Sequence, residues 1–394
     1  MELMKGYKQT EVGLIPDDWK IMSIDQIFDF YSTSNYSKAQ MLTDGEVGCF
    51  HYGLIHSLVY NNYDISKGVK YFVTKKQSKY EYIKDGDVVM VDASEDLSGI
   101  NKSIEISGVQ DKLYIAGLHT FLLRDKGFYQ KNFRGPILNS YFTKAQFYRL
   151  AVGMKVYGVS KQQLKTVVLP IPSKSEQTSI AQALSDTDAY ITSIEKLIEK
   201  KRHIKQGAIQ ELLKPKDGWE TKKLGDFVEY EQPGNYIVKS TEYNDNYQIP
   251  VLTAGKSFVL GYTDEEFGIF QDVPVIIFDD FTTAIKYVDF NFKVKSSAMK
   301  ILRPKNQDTN LRFVYEMMQT IEYPMGVGDH KRHWIGSYQF IEIKVPTLEV
   351  QNQISSILID MDDEIINLTH KLKKVILTKQ GMMQNLLTGK IRLI

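Results

Sequence analysis

A single cysteine, Cys49, stands in 394 residues, which rules out an internal disulfide framework. With His51 and His56 close by it forms only a thin metal pattern, and a buried thiol is the simpler reading. No uninterrupted apolar run approaches the ~18 residues of a membrane span. The N-terminus is polar, so neither a signal peptide nor a transmembrane segment is expected, and the reading is a cytoplasmic protein. Low-complexity tracts are missing as well; 43% hydrophobic and 25% charged residues describe ordinary globular material. Excess charge is also lacking. The net value of +1 excludes a protein that holds polyanions by bulk attraction.

Catalytic signatures are equally scarce. Thr253-Ala254-Gly255-Lys256-Ser257 imitates the end of a phosphate-binding loop, but Pro250 stands where that loop needs its first glycine. Glu342-Ile343-Lys344 resembles the strand carboxylate and lysine of metal-dependent nucleases. No suitably placed Asp precedes it, and the equivalent residues of an internal repeat, described next, are Val168 and Pro170. No Gly-rich dinucleotide fingerprint, adenine-methylation motif or helicase motif is present. The chain reads as catalytically empty.

What is present is a repetition. Lys205-Gln206-Gly207 through Leu212-Leu213 returns as Lys379-Gln380-Gly381 through Leu386-Leu387, an offset of 174. The match runs back through Ile180 and Ile354, Leu184 and Leu358, Asp186 and Asp360, Asp188 and Asp362, and Ile191 and Ile365, so roughly forty residues are duplicated. A second match pairs Trp19 through Ile24 with Trp219 through Leu224 at an offset of 200. The second copy therefore has matching ends and a middle shorter by 26 residues. One frame carries two different payloads.

The duplicated segments have helical periodicity. Ile354, Leu358, Met361, Ile365, Leu368, Leu372 and Val375 follow at alternating spacings of 4 and 3, the a/d seam of a coiled coil. The first copy places Ile180, Leu184, Thr187, Ile191, Ile194 and Ile198 in the same register, and Leu197, Ile204 and Ile209 are read as widening the stripe. A helix from Ser175 to Leu213 is ~58 Å long and needs a partner for its apolar stripe. The other copy is the obvious one. Pro170, Pro172, Pro215, Gly218, Pro346 and Gly389 bound the rods. The expected division is 1–172 and 217–346 for the payloads, with 173–216 and 347–394 for the helical spacers.

The payloads have an α+β pattern. Apolar runs at Asp87–Asp92, Pro274–Asp279 and Ala298–Leu302 predict strands, and Pro136–Val152 and Asn310–Tyr323 predict helices. Residues 1–172 carry 21 Lys and Arg against 18 Asp and Glu, a net of +3, whereas 217–346 carry 14 against 19, a net of −5. That deficit is confined to 217–285, at −9; residues 286–346 stand at +4. If the second payload touches nucleic acid, its later half does so. Just before each rod's entry strand lies a polar loop, Gly153 to Gly158 and Gly328 to Trp334, each leading to a Ser-x-Gln step. Lys and Arg can bond guanine edges or phosphates, and His and Tyr can do either less specifically. Candidates for DNA contact in the first payload are His51, Tyr52, Lys102, Lys155 and Tyr157. Those in the second are Lys256, Lys286, Lys293, His330, Lys331, Arg332 and His333.

Thr10-Glu11-Val12-Gly13-Leu14-Ile15-Pro16-Asp17-Asp18-Trp19, the entry from Pro172 to Glu176-Gln177, the repeated Lys-Gln-Gly and Leu-Leu ends, and Leu386 to Arg392 together resemble the specificity subunits of Type I restriction-modification systems. The resemblance covers nearly the whole chain. One departure is Val350-Gln351 where copy one has Glu176-Gln177, which questions any role needing that carboxylate twice. The resemblance implies two α/β target recognition domains separated by two long helices that pair as an antiparallel coiled coil with pseudo-twofold symmetry. Each domain would read half of a bipartite site in double-stranded DNA. The subunit would catalyse nothing and bind no cofactor. S-adenosylmethionine, ATP and Mg2+ would sit on its partners, two modification (methyltransferase) subunits and the restriction (translocase/endonuclease) subunits. Two other classes compete: a stand-alone nuclease or methyltransferase, against which the missing motifs count, and a coiled-coil scaffold whose globular domains bind protein.

Overall fold

A computed structural model describes residues 5–58, 60–253, 257–280, 282–307, 309–323 and 333–394. The chain forms two compact units, Met1–Lys196 with His370–Ile394, and Leu197–Thr369. Each unit holds one payload together with one end of each long helix. Those helices are Lys174–Leu212 and Leu348–Leu386, 39 residues apiece.

The helices pack together antiparallel, and the repeated charges show why the duplication is reciprocal. In the first unit Lys379 Nζ donates to Asp188 at 2.5 Å, and the Thr187 hydroxyl meets Met382 Sδ at 3.6 Å. In the second, Lys205 Nζ donates to both oxygens of Asp362 at 2.7 and 2.8 Å, with Lys201 and Glu364 at 2.7 Å beside them. At the offset of 174, Asp188 is equivalent to Asp362 and Lys205 to Lys379. Each copy's aspartate therefore takes the other copy's lysine. An antiparallel pair related by a twofold axis produces such exchange at any position facing the axis, so one duplicated Asp–Lys set yields two ion pairs. The seam agrees: Ile180, Leu184, Ile191, Ile194, Ile198, Ile354 and Leu358 are buried, while Met361, Ile365, Leu368, Leu372 and Val375 are half-buried. Leu197 and Ile204 do not widen the stripe. They are 39% and 45% exposed.

The entry to each rod is anchored alike. Gln177 Nε2 donates to the Pro172 carbonyl and Gln351 Nε2 to the Pro346 carbonyl, both at 3.0 Å. Their Oε1 atoms accept from the backbone N–H groups of Gln130 and Asn310. The neighbouring position differs. Glu176, 1% exposed, accepts from Trp19 Nε1 at 2.9 Å and from Arg392 Nε at 2.6 Å, and Arg392 also reaches Asp18 at 2.8 Å. Copy two has Val350 there, and Trp219 packs instead against Phe313. The carboxylate works once, where the residues after the second rod meet the N-terminal strands.

The payloads share a sheet order that their sequences conceal. In the first, Phe28–Tyr31, Thr120–Asp125, Val88–Val91 and Ser103–Ser107 lie side by side, antiparallel, with Asn62–Asp64 added in parallel at the edge. In the second, Val228–Glu231, Met299–Pro304, Val275–Asp279 and Ile285–Val288 take the same order, all antiparallel. Each has a smaller three-stranded sheet, centred on Val47–Phe50 and on Ile249–Leu252. The expected strands at Asp87–Asp92, Pro274–Asp279 and Ala298–Leu302 are thus present within a residue or two. Their unbroken apolar character has a cause: successive side chains point to opposite faces, and both faces are covered. Val88 and Met90 enter one core and Val89 and Val91 another; Ile276 and Phe278 are divided from Val275 and Ile277 in the same way. The expected late helices are Arg134–Leu138 with Tyr141–Leu150, and Leu311–Gln319. Ser140 and Asn310 cap them by accepting from the N–H groups of Thr143 and Phe313. Among the described residues no helix is long and apolar enough to cross a membrane.

Candidate nucleic-acid interface

In both payloads a residue just before the rod's entry strand is bonded beside the C-terminal end of the central strand, Val159 in the first and Trp334 in the second. The first is built around Asp92. Its backbone oxygen accepts from Val159 N–H at 3.0 Å, and Tyr157–Gly158 pairs with Ala93–Ser94. His119 Nδ1 stands 3.4 Å from the Asp92 carboxylate, and burial raises that carboxyl above its usual range although His119 opposes the shift. The His119 ring meets Tyr52 edge-on at 5.5 Å, Tyr52 meets His56 at 6.0 Å, and the His56 carbonyl accepts from Lys102 Nζ at 2.7 Å. Contacts through His56, His119 and Asp92 thus bring together Tyr52, Lys102 and Tyr157, far apart in the sequence. Lys155 is exposed and Tyr157 half-buried. Lys102 and Lys144 line a cavity of about 530 Å³ with His56 and Asp96. Burial lowers the pKa of both lysines, and Lys144 pushes Lys102 further in that direction.

His51 does not join them. It is 5% exposed, caps helix Tyr52–Ser57 by accepting from Gly53 N–H at 3.2 Å, and is held below the ordinary histidine range by burial. A neutral, inward-facing imidazole is a structural cap. Cys49 is likewise a buried thiol, pushed up to about 11 by desolvation.

In the second payload the central strand ends at Asp279, and Asp280 Oδ1 accepts the backbone N–H of Trp334 at 3.0 Å. His333 opens the short helix His333–Gly336 and stacks on Tyr338 at 5.7 Å. Lys286 is exposed on the edge strand Ile285–Val288. Lys293 contradicts its reading as a DNA contact. It has no exposure, pairs with Glu265 at 2.9 Å and donates to the Phe267 carbonyl at 2.6 Å. Burial opposes ionisation of Glu265, but Lys293 and the N–H groups of Ser240 and Lys239 together hold its carboxyl below the usual range. An ammonium with no exposed surface cannot reach a phosphate outside the fold. Lys256, His330, Lys331 and Arg332 lie outside the described residues. Glu342 and Lys344 are both exposed on strand Glu342–Val345, where surface residues alternate with buried Ile343 and Val345.

Two groups were missed by reading the sequence. His119 is isolated among apolar residues and only the fold brings it to Asp92. The other is a set of cations, Lys144, Arg149, Lys161 and Lys165, whose signal was available: the fifty residues from Lys126 to Ser175 hold nine Lys or Arg and no Asp or Glu.

Comparison with known proteins bears on the chain almost end to end. Residues 16–206 and 216–378 each match the family described as the Type I restriction modification DNA specificity domain. The EcoR124I/EcoR124II type I restriction enzyme specificity subunit of Escherichia coli is 50% identical over 145 residues, 34% of this chain and 36% of that protein. The match thus spans about a third of that relative's length. The type I restriction enzyme MjaX specificity subunit of Methanocaldococcus jannaschii is 26% identical over 428 residues, covering 98% of this chain and 97% of that one. Among solved structures, the S subunit of a type I restriction-modification system from M. genitalium shares the fold with a TM-score of 0.56 at 16% identity, over 98% of both chains.

Proposed function

We propose, from the premise that the chain belongs to the type I restriction-modification DNA specificity family, that its two payloads each read one half of a bipartite site in double-stranded DNA. The observation that carries this is a position used twice: just before each rod's entry strand, Val159 N–H bonds the Asp92 carbonyl in one domain and Trp334 N–H bonds the Asp280 carboxylate in the other, each directly past the same central strand of the same sheet. Two readers with one scaffold and different loops suit two half-sites of different sequence, since base edges are read by loop side chains while the scaffold only positions them.

The paired helices set the spacing. Readers fixed to a stiff spacer engage half-sites only at separations compatible with the DNA helical repeat, so helix length becomes part of the recognised sequence. The subunit performs no chemistry; S-adenosylmethionine, ATP and Mg2+ belong to two modification subunits and the restriction subunits that it recruits. Leu197 and Ile204, one heptad apart and exposed, support docking of a partner helix on the outer side of the rod. Near-neutral charge fits a subunit whose partners supply much of the phosphate contact.

Sequencing methylated adenines in cells that carry this chain with its partners tests the assignment. A split motif that changes when either payload is exchanged supports it. Methylation or cleavage of DNA by the purified chain alone would revive the enzyme reading, and sequence-independent binding by the whole complex would favour a scaffold.

A further inference from the structure

The acid-free stretch from Lys126 to Ser175 produces an unusual surface on the first domain. Three of its cations are matched from elsewhere in the fold: Lys126 by Asp29 at 3.5 Å, Lys131 by Asp85 at 3.5 Å, and Arg134 by Glu105 at 2.8 Å. Lys144, Arg149, Lys155, Lys161 and Lys165 have no carboxylate within ion-pair distance among the described residues. They are not loose. Lys161 and Lys165 lie over the Phe30 ring at 5.3 and 6.0 Å, and Arg149 Nε donates to the Ala145 carbonyl at 3.3 Å.

Among these cations stands an apolar apex. Val152, Met154 and Val156 are 70%, 96% and 54% exposed, on a tight loop closed by the reciprocal backbone bonds of Val152 and Gly158 at 3.0 and 2.9 Å. The loop is stiff by construction: Gly153 has φ +151°, and a Cβ there would fall 1.8 Å from the Val156 carbonyl oxygen. Exposed apolar side chains scattered singly need no explanation. Three on one braced tip, flanked by Lys155 and backed by unpaired cations, ask for a partner that is anionic at its rim and apolar within. A DNA groove has that profile, phosphates along its edges and base faces or thymine methyls inside it.

We propose that the tip Val152–Val156 enters a groove of the DNA read by the first domain, with Met154 packed against bases and Arg149, Lys161 and Lys165 holding the flanking phosphates. This rests on the DNA-reading assignment above and names the part of the domain that makes contact. Methionine is long, unbranched and polarisable, suited to pressing against a base step.

The test uses the full chain assembled with its modification subunits, a duplex bearing the motif methylated in cells, and a scrambled duplex, each titrated over a range of salt. Met154→Ala is expected to weaken binding to the motif duplex about tenfold, to leave the scrambled duplex nearly unaffected and to keep the salt slope, because it removes apolar contact alone. Lys161→Ala and Lys165→Ala are expected to weaken both duplexes and to reduce the salt slope by about one each. A wild-type complex that discriminates, paired with a Met154→Ala complex that binds as wild type, overturns the proposal. So does a Met154→Ala chain that no longer assembles with the modification subunits, which would make the tip a protein-docking surface. A wild-type complex blind to the difference between the duplexes overturns the DNA-reading assignment and the proposal with it.

Discussion

Replacing Lys379 with Met keeps the length of the side chain and removes its charge from the exchange between the rods. Lys379 and Asp188 are 9% and 18% exposed at their side chains, so the pair sits between two regimes. Exposed ion pairs are worth about 0–1 kcal/mol; breaking a fully buried one costs about 3–5 kcal/mol. A charge-assisted bond in this intermediate setting points to a loss of about 2 kcal/mol, or about 4–8 °C on the melting of the first unit at about 2–4 °C per kcal/mol for domains of this size. The equivalent change, Lys205→Met, should cost about half as much, because Asp362 also pairs with Arg312 and keeps a counter-ion. Two positions identical by repetition are thus predicted to respond unequally.

The pH dependence identifies the cause. Burial raises the Asp188 carboxyl above its ordinary value, although Lys379 opposes the shift. With the folded-state value above the unfolded one, the native state holds the proton more tightly, so ionising Asp188 costs stability as pH rises through that interval. Lys379 offsets part of this cost in the wild type and none of it in Lys379→Met. The difference between the two proteins should be full above the raised Asp188 values and shrink as pH falls through them, so that it is largely gone before the ordinary carboxylate range is reached. Thermal melts at a series of pH values, combined with Asp188→Asn in a double-mutant cycle, measure it. A loss below about 0.5 kcal/mol, or one that does not change with pH, refutes the charge argument and leaves only packing.

Other expectations follow the same geometry. Glu176→Gln should destabilise the first unit by about 3 kcal/mol, since Arg392 keeps only Asp18; Val350→Glu in copy two should bring no gain, and urea melts of both variants check the contrast. Lys293→Met should lower stability by about 3–5 kcal/mol while leaving the salt slope of DNA binding unchanged in whatever fraction stays folded; a slope reduced by about one would restore its reading as a phosphate contact. Inserting four residues after Ile204 should alter the separation of methylated half-sites and not their sequences, and methylation mapping that found new half-sites at the old spacing would defeat the ruler. Lys331→Ala or Arg332→Ala should impair only the half-site of the second domain, by about 1–3 kcal/mol if a base is contacted; equal losses on every duplex would assign them to phosphate.

What could be read in advance and what could not divides along a physical line. The rods were legible because their constraint is periodic and local: Ile354 to Val375 repeats at helical spacing, and a heptad seam has one geometric meaning. The strands Val88–Val91 and Val275–Asp279 were legible because burial on both faces leaves an unbroken apolar run. Lys293 was misread because its burial is decided by Glu265 and Phe267, 28 and 26 positions earlier, and a lysine's own neighbours carry no trace of that pairing. His51 was misread for a related reason, since a cap and a ligand look alike until the helix it starts is seen.

The repeat itself held more than its helices. Asp188, Lys205, Asp362 and Lys379 are visible as repeated letters, but a letter repeated at one offset does not say whether it bonds within its copy or across to the other. Antiparallel pairing decides for the second: within one rod the Asp and Lys are 17 positions apart, ~25 Å along the axis at 1.5 Å per residue, far beyond ion-pair reach. A duplication that kept both residues while its payload sequences diverged retains a bond that neither copy can make alone. The shared sheet order of the payloads belongs to the same argument, because side chains can change freely on loops so long as the strands that carry them still register. Loop sequences can then diverge between the payloads while the exchange between the rods stays constrained, and a change at Asp188 should reach the pairing of the two rods, through Lys379, before it reaches the loops of the payload.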